Sequence, residues 1–175
     1  APAYASGRRA ALRQPVGGNS CNYVTVFQDG DIYRMYYRAL DIDFAKKDYK
    51  NHPEVICYAE SRDGVHWDKP SLGLVEYEGS SDNNIILDGP RTESFTPFRD
   101  ENPACEPDAL YKAVAVGERA LFAYKSPDGI HWSLMQDEPI VTDGKFDSQN
   151  LVFWDSVRGE YREYHRAFRD GRDIK

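Results

Sequence analysis

The sequence predicts an all-β protein made of repeated units of four antiparallel strands. Strand-favouring aromatic residues are abundant, with 12 Tyr, 8 Phe and 3 Trp among 175 residues. A heptad, Ser-x-Asp-Gly-aliphatic-His-Trp, occurs twice, as SRDGVHW at 61–67 and SPDGIHW at 126–132. The stretch CNYVTVFQDGDIYRMYYRA at 21–39 also matches QNLVFWDSVRGEYREYHRA at 149–167 without a gap. Repeats of this kind indicate a repeat architecture.

Each unit is predicted to begin at an Asn, in the order Asn22, Asn102 and Asn150, where ENPACEPDALYKAVAVG at 101–117 is the weaker middle copy. A first strand then turns at polar residues into an alternating second strand such as YRMYYR. VICYAES at 55–61 and RALFAYKS at 119–126 are the predicted third strands. The Asp-Gly of the heptad then leads into a short fourth stretch that carries Trp67 or Trp132.

Four-stranded units that repeat about every 50 to 65 residues are typical of β-propeller blades. We expect an N-terminal extension at 1–17 and blade units at about 18–96, 97–143 and 144–175. The stretches 68–98 and 133–146 are predicted linkers, and 40–54 is a predicted surface insertion. Two complete blades and part of a third are too few for a ring of about 4 to 8 blades. The chain is therefore expected to be a fragment, or to complete its ring with other chains.

The heptad itself is interpreted as a structural turn. Gly64 and Gly129 are suited to positive φ, and the preceding aspartates are suited to accept hydrogen bonds from turn amides. Its Trp is expected to seal the gap to the next blade, and His66 and His131 are expected to pack between blades.

Charge and composition exclude several function classes. A net charge of −7 argues against a nucleic-acid partner. No apolar run approaches the roughly 18 residues of a membrane span. Three cysteines without C-x-x-C spacing and four histidines without paired spacing predict no metal site. The oligomeric state stays open.

A family resemblance rests on the N-terminal strand pair, the two heptads, and the segments FTPFRDENPAC at 95–105 and FDSQNLVFWD at 146–155. These segments resemble bacterial proteins related to the five-bladed β-propeller glycoside hydrolases, the superfamily of families 32, 43, 68 and 130. The resemblance implies a propeller whose sugar site lies at the central axis, lined by the first strand of each blade. It implies a carbohydrate ligand, a secreted or periplasmic setting and no organic cofactor, and it allows an axial calcium ion.

Two aspartates near the predicted unit starts are the candidate catalytic groups. Glycoside hydrolysis generally needs two carboxyls, one protonated and one ionised. FRDENP resembles the Arg-Asp-Pro element that carries the transition-state stabiliser, which assigns that role to Asp100, and Asp147 is the second candidate acid or base. Strand-end hydrogen bonding is the alternative role for both. The first unit has no acid at this position, so a non-catalytic carbohydrate-binding propeller is the alternative function.

Polar side chains near the predicted unit starts and at the ends of the second strands are the predicted sugar contacts, because guanidinium, amide and imidazole groups bind hydroxyls. They are Asn19, Asn22, Arg38, Arg99, Asn102, Asn150, His165 and Arg166. Salt bridges between blades are the alternative role for the arginines.

Overall fold

The computed structural model describes residues 16, 18, 20–40, 42, 55–168 and 170–175. The predicted contact Asn19 and nearly all of the predicted insertion lie outside this range. The chain divides into two compact units, Ala1–Gly89 and Pro90–Lys175. Helical structure in the described residues is limited to 3-10 turns such as Pro107–Ala109, while strands make up both units. The all-β prediction is confirmed.

One antiparallel sheet of four strands, in the order β1-β2-β3-β4, forms the first unit. Its strands are β1 (Ser20–Asp29), β2 (Ile32–Leu40), β3 (Val55–Ser61) and β4 (Ile85–Asp88). Alternate residues of β2 and β3 enter one apolar cluster, because side chains along a strand point to opposite faces in turn. Tyr37, Cys57 and Ile85 are buried in this cluster, and Trp67 packs against it.

The fourth strand of the first unit corrects the sequence prediction. β4 lies inside 68–98, the stretch predicted to be a linker, and it pairs with β3 through Val55 and Asp88. The residues after Trp67 form an isolated bridge between Asp68 and Glu60 rather than a strand. Pairing with a buried strand decided where the fourth strand formed, and the Gly- and Ser-rich composition around it did not prevent this.

The second unit contains a sheet of the same order, β5-β6-β7-β8. Its strands are β5 (Glu93–Arg99), β6 (Tyr111–Gly117), β7 (Ala120–Ser126) and β8 (Ser133–Leu134). Here the fourth strand comes directly after the heptad Trp, and it occupies the first two residues of the stretch 133–146 that was predicted to be a linker. The same unit continues with the hairpin β9 (Leu151–Asp155) and β10 (Glu160–Tyr164), and then with the pair β11 (Arg166–Phe168) and β12 (Arg172–Ile174).

β12 stands at the place of a third strand. Arg166 of β11 pairs with Ile174 in the way that Arg38 of β2 pairs with Ile56 of β3. The third copy therefore contains a first strand, an interrupted second strand and the beginning of a third.

Strand register confirms that the second strands of the three copies correspond as the sequence comparison predicted. A tyrosine near the start of each second strand lies opposite the last or penultimate residue of the first strand. The pairs are Tyr33 with Gln28, Tyr111 with Arg99 and Tyr161 with Trp154. Each tyrosine is followed by a basic residue: Arg34, Lys112 and Arg162.

The first strand of the middle copy does not begin at Asn102, and this corrects the sequence prediction. Asn102 follows the end of β5, which begins at Glu93. Glu93 takes the place of Asn22, because both precede a bulge at a residue of positive φ, Ser94 (55°) and Tyr23 (49°) respectively. The middle copy thus has a carboxylate where the first copy has an amide.

The heptad forms the same hydrogen-bonded turn in both units. Ser126 Oγ accepts the N–H of Gly129 at 2.8 Å, and Asp128 Oδ1 accepts the N–H groups of Ile130 and His131 at 2.8 and 2.9 Å. Gly129 has a φ of 78°, as the turn prediction requires. Trp132 packs on Phe95 of its own unit, with ring centroids 5.0 Å apart.

The heptad histidines correct a further expectation, since their side chains are exposed rather than packed between blades. The ring of His66 is 87% exposed and that of His131 is 64% exposed. Each Nδ1 lies 2.7 Å from the carboxylate of its own turn, Asp63 or Asp128. The hydrogen bond with Asp63 raises the pKa of His66.

Replacing the turn carboxylate should destabilise the second unit. Partial burial opposes the ionisation of Asp128, but hydrogen bonds from His131 and Ile130 lower its pKa to about 2. We expect Asp128→Ala to lower the free energy of unfolding by about 1 kcal/mol, the usual cost of losing a cap that accepts backbone N–H groups. Urea unfolding measures this loss. The folded-state pKa is depressed, so the contribution is present above the unfolded pKa of about 4 and is lost as the pH falls toward about 2. Equal stabilities of the two proteins at pH 7 would contradict the structural interpretation.

Candidate functional site

A cavity of about 560 Å³ opens in the second unit beside the start of β5. Its walls come from β5, the β6–β7 turn, the segment 144–147 and β11. Glu93 and Asp147 contribute carboxylates, Arg166 contributes a guanidinium, and Phe146 and Phe168 contribute aromatic rings. A volume in the range of about 300–1,000 Å³ with a few converging polar groups is typical of small-molecule sites.

Asp147 lies on the cavity wall opposite an arginine. Its carboxylate forms an ion pair with Arg166 Nη2. The Asp147 side chain is 71% exposed, whereas that of Arg166 is only 17% exposed. The protein thus holds the guanidinium in place and presents the carboxylate to solvent, where a ligand can reach it.

The segment that carries Asp147 is held by two buried polar side chains that the sequence predicted as sugar contacts. Asn150 donates hydrogen bonds to the carbonyls of Phe146 and Ser148 at 3.1 and 2.9 Å. His165 contacts Glu163 through Nδ1 at 2.7 Å and the carbonyl of Asp143 through Nε2 at 3.0 Å. Both side chains are almost fully buried. These contacts position the segment, and ligand binding by either residue stays a prediction.

Backbone contacts tie the same segment to β11. The N–H of Lys145 donates to the carbonyl of Arg166 at 2.8 Å. Gly144 allows the close approach, because a Cβ at this position would lie 2.5 Å from His165 and 2.6 Å from Phe146.

Adding that Cβ should displace the cavity wall. Neither His165 nor Phe146 is free to move, since both are buried and packed on each other, with ring centroids 5.2 Å apart. We expect Gly144→Ala to lower the free energy of unfolding by about 1–3 kcal/mol through overpacking. Gly159→Ala is a comparison, because a Cβ there meets no atom within 4 Å and adds only the strain of a positive φ. A thermal unfolding profile of Gly144→Ala that matches the parent would show that the close approach does not exist.

Asp100 lies in a different environment, at the far end of β5 from Glu93. Seven residues of extended chain separate the two positions, which corresponds to about 20 Å. The buried carboxylate of Asp100 pairs with Lys112 and accepts hydrogen bonds from the Tyr161 hydroxyl at 2.6 Å and the Asn102 N–H at 3.0 Å. Burial opposes its ionisation, but these hydrogen bonds prevail and lower the pKa of Asp100. At the cavity, Asp147 is joined by Glu93 and not by Asp100.

An Asp at the end of the first strand recurs in each copy. Asp29 accepts a hydrogen bond from Arg34 at 2.6 Å, and Asp155 accepts one from Arg158 at 2.9 Å. Strand register aligns Asp100 with these two residues. The recurrence of a carboxylate with a cationic partner favours a structural role.

The other described residues among the predicted contacts have different neighbours. Asn22 and Arg38 are cross-strand neighbours in the first unit, and the Arg38 guanidinium lies 5.9 Å from the Tyr23 ring. Arg99 is the last residue of β5, and Asn102 donates to the Tyr161 hydroxyl at 3.1 Å. Of the predicted contacts, Arg166 alone is shown lining the cavity among the residues that the structure describes.

Glu93 was not among the residues predicted from the sequence, and it is identified by strand register, which aligns it with Asn22. The residue stands at the start of β5, seven positions before Asp100, in the stretch that was predicted to be a linker.

Within the described part of the chain, no group of three or more His, Cys, Asp or Glu side chains is arranged to hold a metal ion. The axial calcium ion stays untested. Likewise, none of the helices in that part has the length and apolar character to cross a membrane.

No family model matches the sequence. Two uncharacterised proteins of Mycobacterium tuberculosis, from strains CDC 1551 and H37Rv, are each 32% identical to the chain over 151 residues. The match covers 81% of this chain, which spans 41% of the length of these relatives.

Solved structures show the fold. One comes from work on the GH130 family of mannoside phosphorylases, which contains glycoside hydrolases that target β-1,2 mannosidic linkages in Candida mannan. Another is a glycosyl hydrolase from Bacteroides ovatus. Each superposes with a TM-score of 0.51 at 19% identity, over 89% of this chain and 43% of its own. The chain therefore has a glycoside-hydrolase-like, all-β fold.

Proposed function

We propose that the chain is part of a glycoside hydrolase, and that the cavity beside β5 is part of its sugar site. The observation that carries this proposal is that Glu93 and Asp147 line one cavity. They come from the first-strand starts of successive copies, at β5 and just before β9. Glycosidases generally place two carboxyls on either side of the bond that they cleave.

The ion pair with Arg166 assigns a role to Asp147 and leaves the other role to Glu93. Asp147 faces the guanidinium of Arg166, and an adjacent positive charge favours the ionised form of a carboxylate. Asp147 is therefore the candidate for the ionised partner, which acts as base, nucleophile or stabiliser of the oxocarbenium-like transition state. Glu93 is the candidate for the acid that protonates the leaving oxygen.

A propeller is the architecture that we propose for the whole protein. The two complete sheets share one strand order, and the third copy repeats the first-strand and second-strand hairpin. Somewhat more than two such units, spanning 43% of the GH130 chain, fit a total of five blades. A secreted or periplasmic location stays an expectation.

One observation favours the alternative of a non-catalytic carbohydrate-binding module. The first copy carries Asn22 at the position that Glu93 occupies in the middle copy. An amide at this place binds hydroxyls but cannot transfer a proton.

One experiment on the full-length protein distinguishes hydrolysis from non-catalytic binding. We expect release of reducing sugar from at least one oligosaccharide in a panel of α- and β-linked gluco-, galacto- and manno-configured substrates. Calorimetry on the same panel detects binding without turnover, which supports the binding module. Neither turnover nor binding with any member would contradict both functions.

A further inference from the structure

The cavity beside β5 continues into a second cavity across an exposed aromatic ring. The second cavity has a volume of about 400 Å³ and shares Gly144, Lys145 and Phe168 with the first. Phe168 therefore stands on the border between the two spaces. Phe168 is 57% exposed, although burying a Phe side chain usually favours folding by about 1.5–3 kcal/mol.

The ring of Phe168 is linked to the acid–guanidinium pair of the site. Arg166 lies with its guanidinium carbon 5.6 Å from the Phe168 ring centroid, at a distance where cation–π attraction operates. The same guanidinium pairs with Asp147. One arginine thus contacts both the carboxylate and the ring.

Polar groups surround the ring on both sides. In the second cavity Lys175 Nζ donates to the Asp143 carboxylate at 2.5 Å, and both side chains are more than half exposed. In the first cavity the charged lining residues balance, with three acidic and three basic side chains: Glu93, Glu118, Asp147, Arg119, Lys145 and Arg166. A lining with many donors and acceptors but no excess charge suits an uncharged polyhydroxyl ligand.

We infer that Phe168 is the platform for the sugar unit next to the one held by Glu93 and Asp147, and that the ligand is an uncharged oligosaccharide of two or more units. The C–H face of a pyranose ring is apolar and flat, and it covers an exposed aromatic ring as another aromatic ring does. The hydroxyls at its edge then face the polar groups of the second cavity. This inference rests on the proposed sugar site and adds the length of the ligand and its neutral charge.

The test is calorimetry on the full-length protein with mannobiose, cellobiose and lactose, and with mannose, glucose and galactose as one-unit ligands. We expect a disaccharide to bind more tightly than the corresponding monosaccharide. Phe168→Ala should raise the Kd of that disaccharide about tenfold, in line with the value of one aromatic stacking contact. The Kd of the monosaccharide should change less than about twofold, a shift well below one stacking contact.

Matched variants keep the test specific. Phe168→Tyr retains a flat ring and should retain affinity, whereas Phe168→Leu retains apolar volume and should lose affinity as the Ala variant does. Phe153→Ala removes an exposed Phe of β9 that does not line either cavity, so it should leave binding unchanged.

Three results overturn the inference, and they are distinguishable. If the parent protein binds none of the six sugars, the proposed sugar site itself fails. If the parent binds a disaccharide and Phe168→Ala binds it equally well, the site stands and the platform does not. If Phe168→Ala weakens monosaccharide and disaccharide binding equally, the ring belongs to the first subsite and the inferred second unit is wrong.

Discussion

Asp147→Asn is expected to reduce the turnover of the full-length protein by about 10²–10⁴-fold, the usual contribution of a positioned acid or base. The amide keeps the size of the side chain and one acceptor oxygen, but it lacks the negative charge that a base, a nucleophile or a stabiliser of an oxocarbenium-like transition state needs. Because the Asp147 side chain is 71% exposed, the substitution should leave the fold intact. The measurement is kcat on the best substrate of the panel, together with thermal unfolding.

Glu93→Gln is expected to show a comparable loss, but with a different dependence on the leaving group. A missing general acid matters less when the leaving group is already a weak base, so an aryl glycoside should recover much of the lost rate. Asp147→Asn should not be rescued in this way. Glu118→Gln changes another carboxylate of the same cavity wall and is the control for a general change in charge. Unchanged turnover in both Glu93→Gln and Asp147→Asn would remove the assignment of the acid pair.

Asp100→Leu is expected to destabilise the second unit strongly, by about 3 kcal/mol. The substitution leaves the mostly buried ammonium of Lys112 without its carboxylate, and breaking a buried pair by removing one partner usually costs about 3–5 kcal/mol. It also removes the acceptor of the Tyr161 hydroxyl. Urea unfolding at pH 7 measures the loss.

A double substitution shows whether the loss comes from the unpaired charge. Asp100→Leu with Lys112→Met removes both ions, so it should recover a substantial part of the stability that Asp100→Leu loses. Lowering the pH should reduce the free energy of unfolding, as removal of the carboxylate does. Because the folded-state pKa of Asp100 is lowered, its contribution is present above the unfolded pKa of about 4 and is lost as the pH falls through the folded-state value.

The same variants decide between the two roles considered for Asp100. Asp100→Asn should lose stability and keep most of its turnover under conditions where it is folded. Loss of turnover with unchanged stability would restore the catalytic role that the sequence suggested.

The repeated segments predicted much of the fold because their pattern is set by local rules. The Tyr-basic pair of each second strand, such as Tyr33-Arg34 and Tyr161-Arg162, has a fixed place in the strand register. The heptad turn depends on hydrogen bonds among a Ser, an Asp and a Gly that lie within four residues of one another. Features of this kind can be read from short stretches of sequence.

The first strand of the middle copy could not be found in the same way. The turn Gly30-Asp31 of the first copy is replaced by the loop 100–110 in the middle copy, so a comparison that starts the unit at Asn102 moves the strand start by many residues. Asn102, which served as the anchor, accepts the N–H of Ala104 in that loop and does not lead a strand. The carboxylate of Glu93 was missed for this reason. β4 was missed because its position depends on pairing with β3, which is distant in sequence.

A crystal structure of the full-length protein with a bound oligosaccharide would test the central claim most directly. We expect a sugar unit in the cavity beside β5, with the carboxyls of Glu93 and Asp147 on either side of its glycosidic bond and about 5–9.5 Å apart. An oligosaccharide bound elsewhere, with no contact to Asp147 or Glu93, would contradict the proposed sugar site.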